Sequence, residues 1–158
     1  MVSWQLGRSA RALKRVAVRC PYGFPAVTEQ APYGEDGRPF PTTYYLTCPW
    51  LVAAVSRVEA AGGVERFSEE AATDPDLRRS LEEADAEQRR IRPELDVGIG
   101  GARDPAKLKC LHAHAAFALA RPGYELGERV LEAAGERWCP DARCERSLAA
   151  VHAVDDAR

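Results

Sequence analysis

Thr42 to Gly63 reads TTYYLTCPWLVAAVSRVEAAGG, and its two halves follow different rules. Thr42 to Thr47 sets β-branched and aromatic side chains together, which suits a pleated, half-buried surface and predicts a strand. From Pro49 onward, Leu51, Val52, Val55, Val58 and Glu59 recur at helical spacing. Pro49 can occupy a first helical turn, where its missing N–H costs nothing, and Gly62-Gly63 ends the run. A strand that passes directly into a helix divides the chain. Strand-like pieces lie before it and helical ones after it, so the expected class is α+β.

On the N-terminal side, Val16-Ala17-Val18 is a short β-type run that ends at Arg19-Cys20, and Pro21-Tyr22-Gly23 turns the chain. Phe24 to Gln30 (FPAVTEQ) is the returning strand. Pro32 to Pro41 (PYGEDGRPFP) carries a turn at Asp36-Gly37, and its prolines exclude a central strand. The N-terminal third therefore predicts a small antiparallel sheet of about three strands.

On the C-terminal side, Glu65 to Ala72 reads as a second helix. Asp74-Pro75 supplies a cap and first-turn proline for a third, running to about Arg90. Its apolar stripe is thin (Leu77, Leu81, Ala84), which predicts a surface helix or an arm that docks a partner. Asp96 to Gly101 (DVGIGG) is a loop. Asp104-Pro105 repeats the cap signature, so the most apolar helix is expected at 105–120, in the core against the sheet. Pro122-Gly123 ends it, and a last helix runs from Glu125 to about Arg137. The whole of 1–158 reads as one domain, with flexibility expected in the lead-in 1–14 and the tail 145–158.

Composition bounds the function. The chain has 158 residues, 46% hydrophobic and 29% charged, as an ordinary globular domain has. Its net charge of −2 gives no drive toward nucleic acid, although Arg8, Arg11, Lys14, Arg15 and Arg19 form a basic run. No stretch approaches a membrane span, and the N-terminus lacks the apolar run of a signal peptide. Five cysteines, an odd number without a secreted framework's spacing, point to a cytoplasmic protein with reduced thiols.

Lys109-Cys110-Leu111-His112-Ala113-His114 is the segment richest in chemistry. In a continuous helix Cys110 and His114 share a face, and a thiolate beside an imidazole suits zinc or another late transition metal. His112 points elsewhere on such a helix and stays free for substrate or proton transfer. Cys20-Pro21 and Cys48-Pro49 each follow a strand-like run, and adjacent strands would bring them together. Cys20, Cys48, Cys110 and His114 then make a three-cysteine, one-histidine metal shell, although no C-x-x-C knuckle supports it. Plain burial of small thiols in the core is the alternative.

A catalytic variant of the site needs the same residues. Lys109 and a helix N-terminus would favour a Cys110 thiolate, with His114 as its base. Gly100 and Gly101, with Lys109 and Arg19, would receive an anionic or phosphorylated small molecule. GIGG lacks both the P-loop lysine pattern and the dinucleotide fingerprint, so an ordinary loop is the simpler reading. Cys139 and Cys144, with four residues between them, read as a second metal half-site, a redox pair or incidental, and because the spacing matches no strong zinc pattern the incidental reading is preferred.

RCPYGFPAV (Arg19 to Val27), GRPFPTTYYLTCPWLVAAVSRVEAAGG (Gly37 to Gly63) and GIGGARDPAKLKCLHAHAAFALA (Gly98 to Ala120) resemble an uncharacterised, mainly actinobacterial family, domain of unknown function 501. By that resemblance the motif positions include Cys20, Cys48, Gly100, Gly101, Lys109, Cys110, His112 and His114. The resemblance implies no activity. Three functions stay open: a zinc-binding protein, a thiol enzyme using Cys110 on an anionic small molecule, and an adaptor that docks through helix 74–90.

Overall fold

The computed structural model describes residues 1–104 and 107–146. The fold is α+β. Strands β1 (Leu13–Arg19), β2 (Pro25–Gln30) and β3 (Tyr44–Leu46) form an antiparallel sheet in that order, and a short helix α1 (Val2–Leu6) precedes it. Between β1 and β2 the Cys20 carbonyl accepts the Gly23 N–H at 2.9 Å, and Gly23 takes φ 81°, a conformation open to glycine. β2 is the middle strand and is buried throughout, so its polar residues need internal partners. Glu29 pairs with Lys14 at 2.8 Å and Arg15 at 2.6 Å. Gln30 Nε2 donates to Thr28 Oγ1 at 2.6 Å, while the buried Arg92 guanidinium donates to the Gln30 and Phe40 carbonyls.

The helices follow. α2 (Pro49–Ala60) leaves β3 almost at once, and α3 (Gly63–Thr73) follows because Gly62 adopts φ 80° and turns the chain sharply. Asp74 caps α4 (Pro75–Ile91), its carboxylate accepting the Asp76 and Leu77 N–H groups at 3.0 and 3.2 Å. The α4 stripe of Leu77, Leu81 and Ala84 is buried, with α4 packed on α3 and on α6 (Glu125–Ala134). The apolar stripe thus packs inside the fold while the charged face of α4 lies at the surface, as a surface helix has it.

The central apolar helix, α5, runs Leu111–Ala120 rather than 105–120. Residues 105 and 106 lie outside the described residues, as do 147–158 with most of the expected flexible tail. Lys109 and Cys110 are not helical, and Cys110 is extended at φ −154°, ψ 115°. α5 packs against the sheet, α2 and α6, so most of its circumference is buried. Phe117 stands edge-on between Tyr44 and Tyr124, with centroids 5.6 and 5.7 Å away. α6 comes so close that a Cβ on Gly127 would lie 2.6 Å from both Ala118 Cβ and the His114 carbonyl. Substituting Gly127→Ala forces the two helices apart and should cost about 1–3 kcal/mol in urea unfolding.

His114 is fully buried in this core, with Nδ1 2.7 Å from the Tyr124 hydroxyl and Nε2 lacking a hydrogen-bond partner among the described residues. Burial lowers its pKa from 6.5 to about 4. The unfolded chain therefore binds a proton that the folded chain refuses between these values, and stability rises with pH across that window. At 1.36 kcal/mol per unit, the contribution of His114 falls by about 3 kcal/mol as pH drops from 6.5 to 4. Chemical unfolding at both pH values should show this loss in the wild type, and a correspondingly smaller one in His114→Gln.

Candidate metal centre at the start of the apolar helix

Residues 52, 56 and 59 lie along one face of α2 at helical spacing, and that face meets the N-terminus of α5. Cys110, the residue before α5, makes no side-chain cap bond. Glu59 caps the helix instead, its Oε1 accepting the Leu111 N–H at 2.6 Å. A carboxylate is a favourable cap because it meets both an unsatisfied donor and the positive end of the helix dipole. With α5 starting at Leu111, the extended Cys110 directs its sulfur toward His112. Sγ lies 3.7 Å from His112 Nδ1, and Glu59 Oε1 lies 3.2 Å from the same nitrogen.

The other side of the imidazole fixes its tautomer. Nε2 stands 3.1 Å from the Val52 carbonyl and 3.2 Å from Ser56 Oγ. A carbonyl can only accept, so Nε2 carries a proton, and the neutral ring presents a bare lone pair at Nδ1. Two anionic or potentially anionic atoms converge on that lone pair. The Cys110 sulfur chiefly, then Glu59 and the Val52 carbonyl, outweigh burial and push the imidazolium pKa up to about 9. The site is built to hold positive charge. A second proton can supply it, or a metal ion can.

Among the described residues, Glu59, Cys110 and His112 are the one set of three or more potential ligands whose donor atoms all lie within 4.8 Å of one another. The sequence-derived set of Cys20, Cys48, Cys110 and His114 is not brought together in this structure. Cys110 sits before the helix and not in it, so it turns to His112 instead of sharing a face with His114. His114 is engaged with Tyr124 in the core, while Cys20 and Cys48 line a separate small cavity with Cys139 and Cys144.

Cys110 and His112 open onto a cavity of about 490 Å³, whose other walls include Gly100, Tyr44, Tyr45 and Thr47. Arg8 also lines it, donating to the Tyr45 hydroxyl at 3.3 Å with its guanidinium over the ring. The expected anion cradle is differently disposed. Lys109 Nζ donates to the Gly101 carbonyl at 3.2 Å. The N–H groups of Gly98, Gly101 and Ala102 serve carbonyls within the loop, and that of Ile99 serves Asp85 Oδ1 at 2.8 Å. Arg19 donates to the Gly23 carbonyl on another face, and among the described residues the arginine lining the cavity is Arg8.

Sequence reasoning missed Glu59, Ser56, the Val52 carbonyl and Arg8. One signal was present: Glu59 is a carboxylate placed at the spacing of an otherwise apolar helix face.

Comparison with known proteins places this geometry in a family. No curated protein and no solved structure matches the chain. A family model described as "Protein of unknown function (DUF501)" matches residues 16–96 and 92–132, a span that includes β2, β3, most of β1, α2 and all three members of the candidate centre. The chain belongs to this DUF501 family.

Proposed function

We propose that the protein holds one divalent metal ion, with zinc favoured, through Cys110 Sγ, His112 Nδ1 and the Glu59 carboxylate, and presents it to a small anionic molecule in the adjoining cavity. The observation that carries this reading is the placement of His112 Nδ1 3.7 Å from Cys110 Sγ and 3.2 Å from Glu59 Oε1, with Nε2 turned to the Val52 carbonyl. A histidine that ligates through one nitrogen commonly donates its other N–H to a carbonyl, and Val52 supplies that partner here. Thiolate, imidazole and carboxylate together form a donor set suited to zinc. Three protein ligands leave a fourth position for water or a bound ligand, as catalytic zinc sites do. Zinc there would polarise a ligand oxygen or lower the pKa of a bound water. Arg8 supplies the positive charge at the cavity that an anionic ligand needs.

The raised imidazolium pKa supports a second reading, thiol chemistry at a metal-free site. Cys110 is then the nucleophile and His112, not His114, its charged partner.

Elemental analysis separates the two. Cys110→Ala and His112→Ala should each lower bound zinc by about one equivalent relative to the wild-type chain. Unchanged zinc in both variants rejects the metal centre. For the metal-free chain, thiol chemistry predicts that Cys110 alkylates much faster than the buried Cys139 and Cys144, and that an anion slows it. Uniformly slow labelling rejects that reading.

A further inference from the structure

The four cysteines left out of this centre are themselves gathered. Cys20 follows β1, Cys48 precedes α2, and Cys139 and Cys144 lie beyond α6, yet all four line one small cavity. None is in a disulfide, and Cys48, Cys139 and Cys144 are buried. The cavity is about 10 Å³, room for about one water-sized atom.

Three of the four are followed by proline: Cys20-Pro21, Cys48-Pro49 and Cys139-Pro140. At Cys48 the consequence is visible. Pro49 starts α2, so Cys48 stands at the N-terminus of that helix, where the Trp50 and Leu51 N–H groups partly offset the rise that burial imposes on its thiol pKa. Gln5 Nε2 donates to Cys144 Sγ at 3.7 Å. Burial nevertheless raises the pKa of the Cys48 and Cys144 thiols on balance, so a metal would form the thiolates there by displacing their protons. Between Cys139 and Cys144, Ala142 takes φ 45° and its carbonyl accepts the Glu145 N–H at 2.8 Å, so the chain folds back. The segment is fastened from outside as well: Trp50 Nε1 donates to the Glu136 carbonyl at 2.7 Å, and Arg143 stacks over the Trp50 ring.

We propose that Cys20, Cys48, Cys139 and Cys144 form a second, structural zinc site that fastens the chain beyond α6 to the edge of the sheet and the start of α2. Four thiolates from separate segments make a closed tetrahedral shell, the usual form of a structural site. The single-atom cavity favours one ion over an iron–sulfur cluster. No three of the sulfurs lie within 4.8 Å of one another, so binding draws them in toward bonds of about 2.3 Å. Loading releases the four thiol protons to solvent and leaves a complex of charge −2, which Arg143 at the cavity and the N-terminus of α2 offset. The family match ends at residue 132, before Cys139 and Cys144.

This proposal stands apart from the Glu59–Cys110–His112 centre, and the test isolates it. The double variant Cys110→Ala/His112→Ala removes that centre and leaves these four cysteines as the only thiols in the chain. Expressed with zinc, it should carry about one equivalent, with all four thiols reacting about tenfold slower with a disulfide reagent before chelation than after. The same labelling of the zinc-loaded wild type, with and without chelator, gives the readout without any substitution. Zinc below about a tenth of an equivalent in the double variant overturns the proposal. Thiols equally reactive before and after chelation, or a disulfide in place of two thiols, overturn it as well.

Discussion

One carboxylate oxygen, Oε1 of Glu59, sets the start of α5. It accepts the Leu111 N–H at 2.6 Å across a sequence separation of 52 residues. A hydrogen bond to a charged acceptor contributes about 1.5–3 kcal/mol, more than an uncharged cap provides. Because Glu59 does the capping, Cys110 need not, and its extended backbone swings the sulfur onto His112. Had the helix begun at residue 105, Cys110 would have pointed along the α5 face with His114, into the core. The candidate centre therefore follows from where one helix begins.

The same oxygen lies 3.2 Å from His112 Nδ1, so the contact that joins α2 to α5 also contributes charge to the site. The helix cap and the candidate centre share this residue. The second cysteine centre meets α2 at its other end, where Cys48 precedes Pro49. At 1.5 Å per residue, Cys48 and Glu59 stand about 16 Å apart along the helix. An ion at each would fasten α2 at both ends, to the sheet and chain end on one side and to α5 on the other. The cavity that Cys110 and His112 line is walled by residues of α2 and β3, so its shape depends on how firmly those elements are held.

Much of the fold is legible in the sequence because it is written in local patterns. TTYYLT followed by CPW marks the passage from β3 into α2, FPAVTEQ the central strand, and Asp74-Pro75 the start of α4. Asp104-Pro105 carries the same signature as Asp74-Pro75, but α5 begins only at Leu111. The deciding partner is Glu59, and no local pattern can show that a distant side chain will cap a helix. The site was legible to the same depth. Cys110 and His112 stand out as reactive types close together, but their geometry depends on the Val52 carbonyl and Glu59, which only the packing of α2 on α5 supplies. Cys139 and Cys144 match no ligand spacing by themselves. Their grouping with Cys20 and Cys48 emerges when the chain beyond α6 returns to the sheet edge.

The protonation of the His112 ring tests the central claim most directly. Nitrogen-15 chemical shifts of the ring, measured by NMR with and without zinc at a pH above 9, report each nitrogen separately. The expected result is a neutral ring protonated at Nε2 in the metal-free chain, with zinc shifting Nδ1 alone. A proton on Nδ1 of the neutral ring, or an Nδ1 resonance that zinc leaves unmoved, would contradict it.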